Sequence, residues 1–256
     1  MSSDQLPVVE VTGLSKTYDY VKALDSATLS VWPREVMALV GDNGAGKSTL
    51  AKVICGAVQP DTGALSYSGR IVPTSSVRTA QEFGIETVYQ DLALAPDLDI
   101  VQNLFLGRER AHSTLFRHLG AMAQRTMRAE AREALKALGL GNIGSLSSPV
   151  HQLSGGQQQA IAVARAIMWA KTLVIMDEPT ASLGVRQTHM VYETMRHAVD
   201  RGLSVLVISH SIPTMLTVAS RVAVMRHGRV IAVLSSESTS VEEVLRLMLG
   251  NEEVAA

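Results

Sequence analysis

The sequence is short of several features that would point to particular classes of protein. It has one cysteine, Cys55, so no disulfide can form within the chain and a reducing compartment fits best. Because free cysteine is among the most buried residue types, we expect Cys55 to be a small core residue, with a reactive thiol as the alternative. No uninterrupted apolar run reaches the length of about 18 residues that indicates a membrane span.

An excess of basic charge is also missing, since the formal net charge is -1. Nucleic-acid binding usually needs such an excess because phosphate neutralisation supplies much of the affinity, so we predict no nucleic-acid partner. The N-terminal MSSDQLPVVE has an early acidic residue and no apolar run, unlike a signal peptide. We therefore expect a soluble protein that reaches a membrane only through a partner.

What is present is a core-forming composition with the pattern of an α/β protein. Apolar residues make up 46% of the chain and charged residues 18%, which suits a single large domain. Residues 36–40, 172–176 and 204–208 are apolar throughout, as parallel strands covered on both faces are. Helical patterns lie between them, which predicts a doubly wound α/β core.

Shorter elements and a helical insertion complete this prediction. We expect one domain over 1–256, with an α/β core formed by 1–90 and 156–256 and a helical subdomain inserted at 91–155. Within the insertion, LFLGRER and RTMRAEAREALKALGL are the clearest helical pieces. Further predicted elements are strands at 8–12 and 27–31, hairpins about Ser68-Gly69 and His227-Gly228, and helices at 77–82, 186–200, 214–219 and 241–249.

A glycine-rich loop follows the first buried strand and precedes a helix. The segment Gly41-Asp42-Asn43-Gly44-Ala45-Gly46-Lys47-Ser48 matches the pattern G-x-x-x-x-G-K-[ST]. Its backbone N–H groups and the start of the helix favour phosphate oxygens. Lys47 adds a charge for the β- and γ-phosphates, Ser48 offers a hydroxyl to Mg²⁺, and Thr49 lies toward the α-phosphate. A plain glycine turn is the alternative to this nucleoside triphosphate site.

The strand LVIMDE supplies the acidic partner of that loop. It ends in Asp177, which places a carboxylate at the edge of the sheet where ligands bind in such folds. We predict that Asp177 holds Mg²⁺ through water, and that the next residue, Glu178, polarises the water that attacks the γ-phosphate. Without the glycine-rich loop, Asp177 and Glu178 would be equally compatible with the solvated end of a strand.

The segment Leu153-Ser154-Gly155-Gly156-Gln157, at a helix start before the acidic strand, resembles the signature motif of ATP-binding cassette (ABC) proteins. In that family the serine and the glycine N–H groups bind the γ-phosphate held by the other subunit. A helix N-terminus facing an anion is the physical basis of such a contact. A serine-capped helix with a glycine entry is the simpler interpretation, and it is compatible with the first.

The remaining motifs of this family match single residues. Gln90 resembles the Q-loop glutamine, which helps to ligate Mg²⁺ and senses the membrane partner. His210 resembles the switch histidine that contacts the γ-phosphate. Tyr18 resembles the aromatic residue that stacks on adenine, with Tyr20 as the competing candidate. One residue departs from the family: Gly184 stands where an aspartate usually couples the two sites of the dimer.

The resemblance implies the ABC ATPase fold, a mixed sheet core with flanking helices, an N-terminal antiparallel β subdomain and an inserted helical subdomain. It implies ATP and Mg²⁺ as cofactors, with Mg²⁺ at Ser48, Gln90 and Asp177. It also implies catalysis by Glu178, His210 and Gln90. The implied partners are a second copy of the cassette, transmembrane permease subunits and, indirectly, a periplasmic sugar-binding protein, at the cytoplasmic face of the inner membrane.

Three stretches narrow the resemblance to importers of simple sugars such as ribose or fructose. They are VYQDLALAPDLDIVQNLFLGRE, ASLGVRQ and ISHSIPTMLTVASRVAVMRHGR. An amino-acid importer or an exporter cassette stays open as an alternative, and a soluble factor outside transport is less favoured. A basic segment at 108–136 is either a docking surface for the permease or anionic lipid, or a solvated helix face. Its members are Arg108, Arg110, Arg117, Arg125, Arg128, Arg132 and Lys136.

Overall fold

The computed structural model describes residues 5–73, 75–110, 123–181 and 183–250. They group into two compact units. The core unit comprises the described residues of 1–90, 170–179 and 198–256, and the helical unit those of 91–169 and 180–197. The sequence placed the second boundary at 155/156. In the structure that point is the start of one continuous helix, Gly155–Trp169, which groups with the helical unit as a whole.

The elements are as follows. The strands are β1 Val9–Tyr18, β2 Val21–Val31, β3 Val36–Gly41, β4 Thr62–Tyr67, β5 Arg70–Ile71, β6 Ile85–Val88, β7 Leu173–Asp177, β8 Ser204–Ile208, β9 Arg221–Arg226 and β10 Arg229–Ser235. The helices are α1 Lys47–Ile54, α2 Val77–Glu82, α3 Ile100–Phe105, α4 Gln124–Ala137, α5 Gly155–Trp169, α6 Val185–Asp200, α7 Ile212–Val218 and α8 Val241–Leu249.

The main sheet of the core unit has the strand order β10-β9-β3-β8-β7-β6. Strands β9, β3, β8, β7 and β6 pair in parallel, and β10 pairs antiparallel with β9. All residues of β3 and β8 are buried, as are the first four of β7. Their unbroken apolar runs are the reason, because a strand covered on both faces has no solvent side to make polar. The predicted mixed-sheet core is confirmed.

A second sheet, of order β2-β1-β4-β5, is antiparallel throughout. The sequence placed the first strand at 8–12, but β1 continues to Tyr18. Its register slips after Val11, next to Gly13, whose φ of 62° is left-handed. An irregular strand of this kind breaks the strict alternation on which a sequence-based prediction depends.

The helical unit begins with α3, which carries a capping box between Asp99 and Gln102. The predicted helix LFLGRER is wrong beyond Phe105, because Leu106 leaves the helical conformation and Gly107 takes a φ of 77°. In α4 the buried residues are Met127, Ala131 and Leu135, spaced by four as one helical face requires. Within the described ranges, no helix combines the length and the apolar character needed to cross a bilayer.

The basic segment is partly engaged inside the helical unit. The guanidinium groups of Arg108 and Arg110 lie 5.0 and 5.7 Å from the ring centre of Trp169. Arg110 also forms an ion pair of 3.4 Å with Glu130. Arg117 lies outside the described residues. The segment is therefore not simply a solvated face, and its role as a docking surface stays a prediction.

Tyr67 fastens the antiparallel sheet to the helix that follows the glycine-rich loop. Its hydroxyl donates to the carbonyl of Ile54, the last residue of α1, at 2.6 Å, and lies 2.8 Å from Oγ of Ser75. The side chain is fully buried, and this burial raises the pKa of Tyr67 to about 12. The phenol therefore stays protonated and donates across the physiological range.

Replacing Tyr67 by phenylalanine removes this link and keeps the ring. We expect Tyr67→Phe to lower the free energy of unfolding by about 1–2 kcal/mol, because the Ile54 carbonyl loses a buried donor. Urea denaturation measures the change. Tyr20→Phe removes the same atom from a fully exposed side chain and should change stability by less than about 0.5 kcal/mol. Equal effects of the two substitutions would contradict the role of the buried hydroxyl.

Candidate functional site

The candidate residues of the core unit collect at one edge of its main sheet. The parallel register aligns Val88 with Met176, and Ile208 with both Asp177 and Leu39. Strands β3, β6, β7 and β8 therefore end at the same level. The segments that follow their carboxyl ends carry the predicted site: residues 41–49, Gln90, Asp177, Glu178 and His210. This is the edge where open α/β sheets bind ligands.

At two positions of the glycine-rich loop, the backbone leaves room only for glycine. Gly46 has a φ of 102°, and a Cβ there would lie 2.4 Å from the carbonyl oxygen of Ala23. A Cβ on Gly41 would lie 2.3 Å from the carbonyl oxygen of Met225. Between them the N–H of Ala45 donates to Asp42 at 3.1 Å and closes a turn. The loop is thus bent tightly against neighbouring backbone, as a phosphate cradle requires.

The turn between β9 and β10 holds this loop in place. The N–H of Gly228 donates to the carbonyl of Ala45 at 3.0 Å, and the carbonyl of Gly228 accepts from Asp25 at 2.9 Å. The sequence predicted a hairpin at His227-Gly228 but not its contact with the loop. No local pattern signals that contact, because the three partners are far apart in the chain.

Lys47 is a buried cation at the centre of the loop, with an exposed fraction of 8%. Its Nζ donates to the carbonyls of Gly41 at 2.7 Å and Asp42 at 2.9 Å. Burial lowers the pKa of Lys47, and the charges of Glu178, Asp177 and Asp42 act in the opposite direction. The loop lysine and the acidic end of β7 thus share one electrostatic environment.

Glu178 and His210 form a pair that the sequence did not predict. Nδ1 of His210 lies 2.9 Å from Oε2 of Glu178. Because an ionised carboxylate only accepts, Nδ1 is the donor and Nε2 is the nitrogen left for another partner. Glu178 has a φ of 50°, and its N–H donates to Ile208 at 3.1 Å. A non-glycine residue in this strained conformation is typical of functional sites.

The oxygen donors predicted for Mg²⁺ suit that ion, but they need further ligands to complete its coordination. They are the hydroxyl of Ser48, which is exposed at the start of α1, the amide of Gln90 and the carboxylate of Asp177. Oxygen atoms of this kind are what Mg²⁺ prefers, usually together with phosphate oxygens and water. Among the residues that the structure describes, no group of three or more His, Cys, Asp and Glu could hold a metal ion. Phosphate oxygens would therefore have to complete the site.

Tyr18 lies at the end of β1 beside a fixed charge. Nζ of Lys16 is 5.7 Å from its ring centre and also forms an ion pair of 2.7 Å with Asp61. Asp61 accepts a further hydrogen bond from the backbone of Thr17 at 2.7 Å. Tyr18 is 41% exposed, whereas Tyr20, in the turn after the strand, is fully exposed. The held position of Tyr18 supports the preference for it as the adenine platform, which stays a prediction.

The signature segment belongs to the helical unit, where it starts α5. The N–H of Ser154 donates to Oε1 of Gln157 at 2.9 Å, and the N–H of Gln157 donates to Oγ of Ser154 at 3.3 Å. This reciprocal pair is a capping box. Ser154 and Gly155 are exposed. The simpler interpretation of the motif, a capped helix start, is therefore confirmed, and it leaves the serine hydroxyl proton available.

Gln187 is a neighbour of the signature that the sequence did not reveal. A Cβ on Gly156 would lie 2.2 Å from Cγ of Gln187, so the glycine lets this side chain pack against the helix start. A Cβ on Gly184 would lie 2.9 Å from Oε1 of the same side chain. The unusual glycine at 184 therefore leaves space that Gln187 uses.

Arg165, near the end of the signature helix, holds the loop that follows Gln90. It donates to the carbonyl of Ala93 at 2.8 Å and to that of Leu92 at 2.9 Å. Trp169, one turn further on, donates to the carbonyl of Leu104 at 2.8 Å. The residues of the helical unit that follow Gln90 in the sequence are thus tied to α5.

The two signature glycines offer a matched pair of substitutions. Gly156→Ala must displace Gln187, and we expect it to cost about 1–3 kcal/mol of stability, as overpacking does. Gly155→Ala meets no atom within 4 Å and should leave stability unchanged or slightly raised, because alanine favours helix. Thermal or urea denaturation of the two variants provides the comparison. Equal stability of the variants would show that Gln187 does not pack as described.

Comparison with known proteins places this chain in a family. Residues 24–181 match the family described as ABC transporter. The fructose import ATP-binding protein of Rhizobium meliloti is 41% identical over 250 residues, 97% of this chain and 96% of that protein. The xylose/arabinose import ATP-binding protein of Sulfolobus acidocaldarius is 41% identical over 241 residues, 94% and 93% of the two chains. A ribose import ATP-binding protein of Rubrobacter xylanophilus is 36% identical, and the match covers 46% of its length.

Solved structures show the same fold. A nucleotide-free ATP-binding cassette from an ABC transporter aligns with a TM-score of 0.79 at 24% identity, over 97% of each chain. A dimeric post-hydrolysis cassette bound to ADP and phosphate aligns with a TM-score of 0.75 at 24% identity, over 90% of this chain and all of that one. The predicted ABC ATPase fold is confirmed. The glycine-rich loop, the acidic strand and the family match together show that the chain belongs to the ABC transporter family, as one of its ATP-binding cassettes.

Proposed function

We propose that the chain is the ATP-hydrolysing subunit of an importer for a simple sugar such as fructose or ribose. The observation that carries the proposal is the cluster of Lys47, Asp177, Glu178 and His210 at one sheet edge of the core unit. The named sugar import relatives, which match nearly the whole chain, support the choice of sugars. The proposed place of work is the cytoplasmic face of the inner membrane, on permease subunits.

The core unit holds the nucleotide through its phosphates. The backbone of residues 41–46 and the N–H groups at the start of α1 surround the β- and γ-phosphates. Lys47 exchanges its two carbonyl acceptors for phosphate oxygens, and these charge-assisted hydrogen bonds offset part of the cost of its burial. Tyr18 stacks on the adenine. Ser48, Gln90 and Asp177 would hold Mg²⁺, which would neutralise charge on the β- and γ-phosphates.

Glu178 and His210 carry the hydrolytic step. A water oxygen attacks the γ-phosphorus, its proton passes to the carboxylate of Glu178, and the bond from the γ-phosphorus to the bridging oxygen of ADP breaks. His210 keeps Glu178 in position through the bond at Nδ1 and directs Nε2 to the γ-phosphate. Lys47 stabilises the negative charge that the leaving ADP gains.

A second copy of the chain completes the site. In the proposed dimer, the hydroxyl of Ser154 and the first N–H groups of α5 bind the γ-phosphate held by the loop of the other copy. The capping box supports this role, because Oγ of Ser154 accepts from Gln157 and keeps its own proton to donate. The first N–H groups of a helix also have no partner within the helix. ATP then joins the two copies, and hydrolysis lets them separate.

Substituting Glu178 separates binding from hydrolysis. We expect Glu178→Gln to keep ATP binding and to reduce phosphate release by about 10²- to 10⁴-fold, because the amide cannot take the proton of the water. The variant should remain an ATP-bound dimer in size-exclusion chromatography. Glu82→Gln makes the same change on the exposed face of α2 and should keep normal turnover. Normal turnover of Glu178→Gln would remove Glu178 from the role of base.

Uptake assays test the proposed substrate. In cells that lack this chain, we expect uptake of one sugar from a panel of fructose, ribose, xylose and arabinose to be lost. The wild-type chain should restore it, and Lys47→Ala should not, because that chain cannot hold the triphosphate. Loss of amino-acid uptake or of an export activity, with all sugars unaffected, would favour the alternative cassettes. The permease and a periplasmic sugar-binding protein are expected to be needed for the same activity.

A further inference from the structure

The helical unit contains a cavity of about 270 Å³ that no part of the proposed mechanism uses. It lies between α4 and the loop 140–147. Arg128 and Arg132, one helical turn apart, line its helix side. Gly141, Gly144, Ser145 and Ser147 line the loop side, together with apolar residues of both segments.

The cavity is lined by positive charge without a matching negative one. Two arginines are among its lining residues, and none of the lining residues carries a carboxylate. Arg128 donates to Oγ of Ser147 at 2.8 Å, which uses part of its donor capacity. Arg132 forms no hydrogen bond or ion pair with another described residue. Two like charges at positions i and i+4 of a helix repel each other, and an anion between them would relieve this cost.

The size and the donors of the cavity select a class of ligand. Pockets for drug-sized molecules have about 300–1,000 Å³, so this cavity suits a smaller ligand than a nucleotide. Guanidinium groups bind phosphate oxygens in a forked geometry, and serine hydroxyls add neutral donors. A phosphomonoester of the size of a sugar phosphate matches these features.

The loop side of the cavity is linked to the signature motif by hydrogen bonds. The carbonyl of Ile143, a lining residue, accepts from Nε2 of Gln157 at 3.2 Å. Oε1 of the same side chain accepts from the N–H of Ser154 at 2.9 Å. A ligand that fixes the loop therefore also fixes the residue that holds Ser154.

We propose that this cavity is a regulatory site for a small phosphomonoester, and that its occupation further stabilises the capping box of the signature, which is already formed without it. A stabilised box keeps the Ser154 hydroxyl ready to donate to the γ-phosphate of the other copy, so the ligand lowers the KM for ATP and leaves kcat unchanged. The effect on the KM for ATP rests on the proposed function, whereas binding of the phosphomonoester to the cavity does not. Imported sugars that are phosphorylated in the cell are a natural source of such a ligand.

Calorimetric titration with fructose 6-phosphate tests the site directly. The Lys47→Ala chain is the background, so that the nucleotide loop does not contribute phosphate binding. We expect saturable binding that weakens with salt. Inorganic phosphate should bind as well, and uncharged fructose should not.

Arg132→Gln should weaken fructose 6-phosphate binding about tenfold or more. Arg125→Gln, on the same helix but outside the cavity, should keep it within about twofold. Absence of saturable binding, or equal loss in both variants, would overturn the site.

Kinetics of the assembled transporter test the coupling. We expect fructose 6-phosphate to lower the KM for ATP about fivefold in the wild-type chain and not in Arg132→Gln, with equal basal rates. Thermodynamic linkage requires that ATP tighten fructose 6-phosphate binding to the Glu178→Gln dimer by the same factor by which fructose 6-phosphate tightens ATP binding to that dimer. If calorimetry shows binding but neither the KM for ATP nor the affinity for fructose 6-phosphate changes as expected, the coupling is wrong and the binding site stands. A fall in kcat without a change in KM would also contradict it.

Discussion

The burial of one cation, Lys47, is the interaction on which the arrangement of the core unit depends. Its ammonium group has two backbone carbonyls of its own loop as acceptors, and the carboxylates of Asp177 and Glu178 offset part of its desolvation. This requires β3 and β7 to end at the same level with only β8 between them. The apolar runs that bury these strands therefore also determine how close the charge of Lys47 lies to those of Asp177 and Glu178.

The sequence predicted what depends on local patterns and failed where distant segments meet. The buried strands, the glycine-rich loop and the helix after it follow from apolar runs and from residue types at fixed spacing. The pairing of Glu178 with His210, and the bond from Gly228 to Ala45, join segments with no common pattern. The length of β1 was missed for a different reason, since its bulge at Gly13 interrupts the alternation that marks a strand.

The signature segment shows how one geometry can satisfy two demands. A helix start needs acceptors for its first N–H groups, and the capping box supplies them for the N–H groups of Ser154 and Gln157. A γ-phosphate needs donors, and the same serine keeps its hydroxyl proton for that purpose. The two interpretations of the segment are therefore not competitors. The cap fixes the donor before any ligand arrives, so less conformational entropy is lost when the phosphate binds.

Gly184 and Gln187 have to be understood together. The backbone at Gly184 is not left-handed, so an aspartate at this position would meet no strain of its own. It would instead meet Oε1 of Gln187, whose stem lies against Gly156 at the start of the signature helix. A side chain at position 184 would thus have to shift the amide of Gln187, which is the flexible end of that side chain. In this chain the contact between the segment after Glu178 and the signature is made by the glutamine. A change at either residue must therefore be judged by its effect on the other.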